Sequence, residues 1–197
     1  MPAPAAAVGP DGPEATIRGL ARAGGRAVAF GWYNSPNHGI PRPSPWVAGP
    51  GTADWREVPT VRELFSGENV VTLGDVAGGA RGFTIAGTWV NASGRSVATV
   101  WRSSDGQQWR RIDSDPVLAG ARGEITSALG AADGPAGLAV VGDALVPTPA
   151  DPGGERGALW QSGDGSDWAR VAPTDAALGA PGAQVRVDHV AATPTGW

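Results

Sequence analysis

The sequence predicts an all-β chain built from repeated four-stranded antiparallel units, and three observations predict it. The 197 residues include 31 Gly and 18 Pro, more punctuation than helices tolerate, while 41% hydrophobic content and nine Trp supply the apolar volume of a core. WRSSDGQQWRRI (Trp101 to Ile112) is answered by WQSGDGSDWARV (Trp160 to Val171), with a weaker copy in WVAGPGTADWREV (Trp46 to Val58). Upstream of these, RAVAFGW, GFTIAGT and GLAVVGD are short apolar runs ending at Gly31, Gly87 and Gly142, spaced 56 and 55 residues apart.

Each unit divides into four strands, A to D. In the second unit they fall at Val70 to Ala77, Phe83 to Val90, Val97 to Arg102 and Trp109 to Asp113, separated by Gly, Pro, Asn and Asp clusters that mark turns. The chain then reads as a loose leader over 1–14, units over 15–58, 69–113 and 124–171, and a partial fourth unit over 184–197, where Val185 to Ala192 copies strand A and Gly196–Trp197 align with Gly82–Phe83. A period near 55 suits a four-stranded propeller blade with surplus length in its connections. Blades bury their faces only against neighbours, so three blades and the start of a fourth form an incomplete ring. The expectation is a piece of a larger propeller, or a ring completed by self-association through exposed blade edges.

Charge and composition bound the function. A net charge of −4 with no basic cluster argues against a phosphate-tracking surface, and thus against nucleic acid. All 15 basic residues are arginine, which a genome-wide bias explains more cheaply than carboxylate recognition. With no cysteine, disulfides and thiolate metal sites are excluded, a state as natural to an exported bacterial protein as to a cytosolic one. The opening MPAPAAAVGPDGPE does not read as a signal peptide, and no apolar run reaches transmembrane length. Two histidines far apart, His38 and His189, give no metal spacing; no P-loop, HExxH or GxSxG is present, and no cofactor is implied. Asn91 opens a formal glycosylation triplet of a kind that recurs by chance.

The repeated tryptophan segment reads as a hairpin clamp between strands C and D. Asp105 is placed to accept hydrogen bonds from turn amides, Gly106 to take positive φ, and Ser103 to tie the incoming strand, with Trp101 and Trp109 flanking the turn; Ser162, Asp164, Gly165, Trp160 and Trp168 repeat the set. A catalytic carboxylate is not needed once per unit, whereas a turn clamp is.

At SSDGQQW and SGDGSDW the chain resembles the Asp-box, or BNR-repeat, family of sialidases and many non-enzymatic propellers, whose turns read roughly SxDxGxTW. It departs from that pattern in placing glycine directly after the aspartate and Gln108 or Asp167 where the family has Thr; the first unit keeps only AGPGTADW, with its carboxylate, Asp54, displaced. The resemblance implies a scaffold rather than a chemistry, extracytoplasmic or secreted, with the boxes on the face opposite the substrate site. Function then falls to the B–C loops and D–A links. The first B–C loop, Tyr33 to Pro43 preceded by Trp32, offers Tyr33, Asn37, His38 and Arg42; the second offers Trp89, Asn91 and Arg95; the third Asp143, Asp151, Glu155 and Arg156. Glu68, Glu124 and Asp188 stand near the starts of strands A, ringing a channel mouth or facing water.

Two functions follow from the resemblance. One is a non-catalytic scaffold binding protein or carbohydrate through these loops. The alternative is a sialidase-like glycoside hydrolase, which needs three arginines on the sugar carboxylate, a tyrosine nucleophile and an acidic proton donor. Tyr33 is the sole tyrosine, and GIPRP at Gly39 to Pro43 does not reproduce the arginine motif, so no catalytic residue is assigned.

Overall fold

In the computed structural model the described residues are 15–33, 42–52, 54–58, 62–65, 69–112, 115–121, 123–145, 154–171 and 184–197. They form three four-stranded antiparallel sheets, each a meander in chain order. The first holds β1 (Ala15–Ala23), β2 (Arg26–Tyr33), β3 (Arg42–Ala48) and β4 (Trp55–Glu57). The second holds β5 (Val70–Gly79), β6 (Gly82–Val90), β7 (Ser96–Ser103) and β8 (Arg110–Ile112). The third holds β9 (Ile125–Gly134), β10 (Gly137–Leu145), β11 (Glu155–Ser162) and β12 (Ala169–Arg170). The all-β propeller class expected from the repeats is the class observed.

The middle strands explain why the apolar runs lack alternation. β6 and β7 lie between two other sheets and are buried at almost every position, so both faces demand apolar side chains. The sheets converge at their first strands, where β1 lies against β5 and β5 against β9. Glycine makes that approach: a Cβ on Gly74 would stand 2.2 Å from the Leu129 carbonyl oxygen, and one on Gly19 would stand 2.7 Å from Val76. Gly130 continues the series, with the Asp188 carbonyl and the His189 Cα in the same relation to it. The segment 184–197 therefore occupies the position of a fourth inner strand.

That segment departs from the expected strand in one respect. Residues 184–192 join no ladder; they are held by Val185 N–H on the Glu155 carbonyl (3.2 Å) and Val187 N–H on the Gly142 carbonyl (3.3 Å). In the other units the inner strand takes its ladder from strand B, and here that position begins only at Gly196, which bridges Thr193.

Two elements escaped sequence reading, the four-residue helices α1 (Arg62–Phe65) and α2 (Pro116–Ala119) in the D–A links. Asp115 caps α2 by accepting from Val117 and Leu118 N–H, and Pro116 follows it with no amide to leave unpaired. Each helix drives one fully buried side chain, Phe65 or Leu118, into the seam between sheets. The Phe65 ring stacks on Trp101 at 5.0 Å and meets Trp109 edge-on at 5.9 Å and Phe30 at 5.3 Å. The preceding carbonyl in each helix then receives an indole from the next sheet: Trp101 Nε1 donates to Leu64 and Trp160 Nε1 to Val117, both at 3.1 Å.

Candidate functional site

The meander puts the A–B and C–D turns at one end of each sheet and the B–C connections and D–A links at the other, so there are two ends to assess. At the first end, Asp105 Oδ1 accepts from Gln107 N–H (2.8 Å) and Gln108 N–H (2.9 Å), while Ser103 Oγ accepts from Gly106 N–H (2.8 Å). Gly106 sits at φ 75° and Trp109 Nε1 closes the turn on its carbonyl at 3.0 Å. The third sheet repeats this with Ser166 N–H on Asp164 (2.7 Å), Gly165 N–H on Ser162 (2.7 Å) and Gly165 at φ 85°. There the indole of Trp168 is buried with Nε1 unpartnered. The amides of Gln108 and Gln107 hold the Asp105 carboxyl below the usual range, and that of Ser166 does the same for Asp164. In the first sheet Asp54 is exposed and the turn keeps only Gly51 at φ 68°.

These turns do more than close hairpins. A Cβ on Gly106 would meet Val28 of the preceding sheet at 2.7 Å, and one on Gly165 would meet Arg102 Nε at 2.5 Å. Arginines of the preceding sheet donate to the turn carbonyls: Arg26 to Asp105 (3.0 Å), Arg81 to Gly163 (2.7 Å) and Arg102 to Asp164 (3.3 Å). Each serine–aspartate turn thus docks on its neighbour.

The opposite end gathers the loop residues. Trp32 is half-buried where β2 ends, and Tyr33 pairs in register with Arg42 across β2 and β3. Asn37, His38, Glu68 and Asp151 lie outside the described residues. Trp89 is 7% exposed with the Arg111 guanidinium 3.7 Å over its ring, so one face of that ring is already occupied. Asn91 Oδ1 organises its own turn, accepting from Ser93 N–H (3.0 Å) and Arg95 N–H (3.1 Å), and Arg95 reaches the Ala121 carbonyl at 2.9 Å. Glu124 neither faces water nor stands free: it is buried, pairs with Arg170 at 2.5 Å and accepts from Ala121 N–H.

The third sheet brings together residues far apart in sequence. β10 and β11 run in register to Leu145↔Glu155, which sets Glu155 two pairs beyond Asp143↔Gly157 on that end. Asp143 is buried, and the register sets Glu155 diagonally from it on the same face of the sheet. Interaction with the Asp143 carboxyl, then burial, pushes the Glu155 carboxyl up from the usual carboxylate range. Arg186 and Asp188 pair beside it at 2.7 Å. The cluster offers a donor, several acceptors and a guanidinium at one strand end. Among the described residues no group of three or more His, Asp or Glu is placed to hold a metal ion, and no helix is long and apolar enough to cross a membrane.

No protein-family model matches the chain, and no curated protein matches it. Among solved structures it is similar to a Bombyx mori GH32 beta-fructofuranosidase, a mutant in complex with sucrose, at 15% identity and a TM-score of 0.50. The match covers 79% of this chain and 34% of that one, so the chain spans about a third of the enzyme's length. At that identity the likeness is one of fold, and it identifies a β-propeller type of architecture.

Proposed function

We propose that this chain is a propeller-type binding scaffold of the Asp-box kind, extracytoplasmic in setting, that contacts carbohydrate or protein through the end opposite its serine–aspartate turns. One observation carries the reading: Asp143 and Glu155, diagonal neighbours on one face of β10 and β11, with the Arg186–Asp188 ion pair beside them, present acceptors and a guanidinium donor together at a strand end, a set that suits sugar hydroxyls. The fold-level likeness to a sucrose-bound enzyme supplies a carbohydrate context.

The second reading, a glycoside hydrolase, draws on the same pair, because a glutamic acid that keeps its proton is what such enzymes use as general acid. Binding ranks first because the sequence does not reproduce the arginine motif that a sialidase sets on the sugar carboxylate. Calorimetric titration with a panel of neutral and acidic oligosaccharides tests the scaffold. We expect saturable binding that Asp143→Asn and Glu155→Gln weaken at least tenfold, with no hydrolysis of fluorogenic sialosides or of sucrose. Turnover abolished by Tyr33→Phe, or by either carboxyl variant, reverses the ranking in favour of the hydrolase.

A further inference from the structure

A second site lies at the other end of the molecule, independent of the carboxyl pair. At the turn end of the second sheet lies an open cleft of about 360 Å³, lined by Arg81, Arg102, Arg110, Ser104, Gln108 and Trp109. Arg102 is 7% exposed, yet its hydrogen bonds go only to neutral oxygens: the Thr84 hydroxyl and the carbonyls of Arg81 and Asp164. Its Nε is buried with no partner. A buried guanidinium is ordinarily matched by a carboxylate, and this one is not.

The surrounding charges sharpen the imbalance. Asp133 is the nearest compensation, and it is bound to Arg81 by an ion pair of 2.8 Å and by the Arg81 amide at 3.0 Å. The Asp164 carboxylate is held by the Ser166 amide of its own turn. Arg110 is exposed, and among the described residues its side chain hydrogen-bonds only to the Ser166 hydroxyl, at 3.3 Å. Three guanidiniums thus line one cleft, and the two carboxylates that act on Arg102, those of Asp133 and Asp164, are engaged elsewhere. Burial depresses the affinity of Arg102 for its proton, Asp133 opposes the effect, and the like charges of Arg110 and Arg81 add to it.

We propose that this cleft binds an oxyanion, a sulfate, phosphate or carboxylate group, with Arg110 as the mobile clamp and the edge of the fixed Arg81–Arg102 pair as its seat. Guanidiniums suit such groups because their planar donors match two oxygens at once. Ser104 and Gln108, both exposed, supply neutral polar groups at the rim.

The test is calorimetric titration with sodium sulfate and sodium phosphate at constant ionic strength held by sodium chloride, beside a sulfated chondroitin disaccharide and its unsulfated counterpart. The expected result is saturable sulfate or phosphate binding that Arg110→Ala weakens about tenfold and Arg110→Glu abolishes, as fits one charge-assisted contact. Arg56→Ala, on exposed β4 of the first sheet, should leave it unchanged. All three variants change exposed side chains, and unaltered circular dichroism and melting temperature check that they fold. Tighter binding of the sulfated disaccharide than of sulfate assigns the group to a glycan, and equal binding assigns it to a free ion. Absence of saturable binding, undiminished binding by Arg110→Ala, an equal loss in Arg56→Ala, or equal binding of the unsulfated sugar would overturn the proposal.

Discussion

Replacing Phe65 by alanine tests how the sheets are joined. Phe65 is fully buried on a four-residue helix that has no stability of its own, and its ring touches Phe30 of the first sheet and Trp101 and Trp109 of the second. Truncating a buried phenylalanine costs about 3–5 kcal/mol, from lost transfer energy and the cavity left behind. The upper part of that range applies here, because three ring contacts, each worth about 0.5–1.5 kcal/mol beyond area burial, vanish together. Urea unfolding followed by tryptophan fluorescence measures the effect, since Trp101 and Trp109 line the cavity. Leu20→Ala is the comparison: Leu20 is 52% exposed, and its loss should change stability by less than about 0.5 kcal/mol. A Phe65→Ala protein within about 1 kcal/mol of wild type would refute the argument that this side chain joins the two sheets. A double-mutant cycle with Trp101→Phe should show coupling of about 0.5–1.5 kcal/mol, and additivity would mean the stacked pair contributes nothing specific.

Two further outcomes follow from the turns and the hub. The Asp105 carboxyl is held below its ordinary range in the folded chain, so its stabilisation is present at neutral pH and disappears as pH falls through that lowered value; Asp105→Asn should flatten the acid limb of the stability–pH curve, and Asp105→Ala should cost about 1 kcal/mol at neutral pH after allowing for solvent screening. An acid limb identical in wild type and Asp105→Asn would contradict this. Gly74→Ala should destabilise by about 3 kcal/mol or more, because the new methyl meets a main-chain oxygen that cannot move aside, whereas Gly163→Ala, with nothing within 4 Å, should be tolerated; equal melting temperatures would show that the close approach is not what holds the inner strands.

What sequence reading reached and what it missed divide along the range of the interactions. The three sheets were legible because short apolar runs and turn chemistry are local, and the chain repeats them at a near-constant interval. The serine–aspartate turns likewise bond within a few residues of themselves, from Ser103 to Trp109. The helices α1 and α2 were not legible, since four residues carry no periodicity and their worth comes from the seam they fill. Nor was the pairing of Glu124 with Arg170, which are 46 residues apart. The ring of Trp89 looked free to meet a ligand, but β6 is buried on both faces and Arg111 covers the ring, facts that exist only once sheets are stacked. The approach of Glu155 to Asp143 on one face required the register of β10 on β11, which no spacing in the sequence specifies.

Glycine at the converging strands has a consequence for how this architecture changes over time. Where peptide meets peptide directly, the tilt from one sheet to the next depends on main-chain dimensions and hardly at all on side-chain bulk. Exposed positions away from the docked turns and the seam-filling helices are then free to vary without altering that tilt.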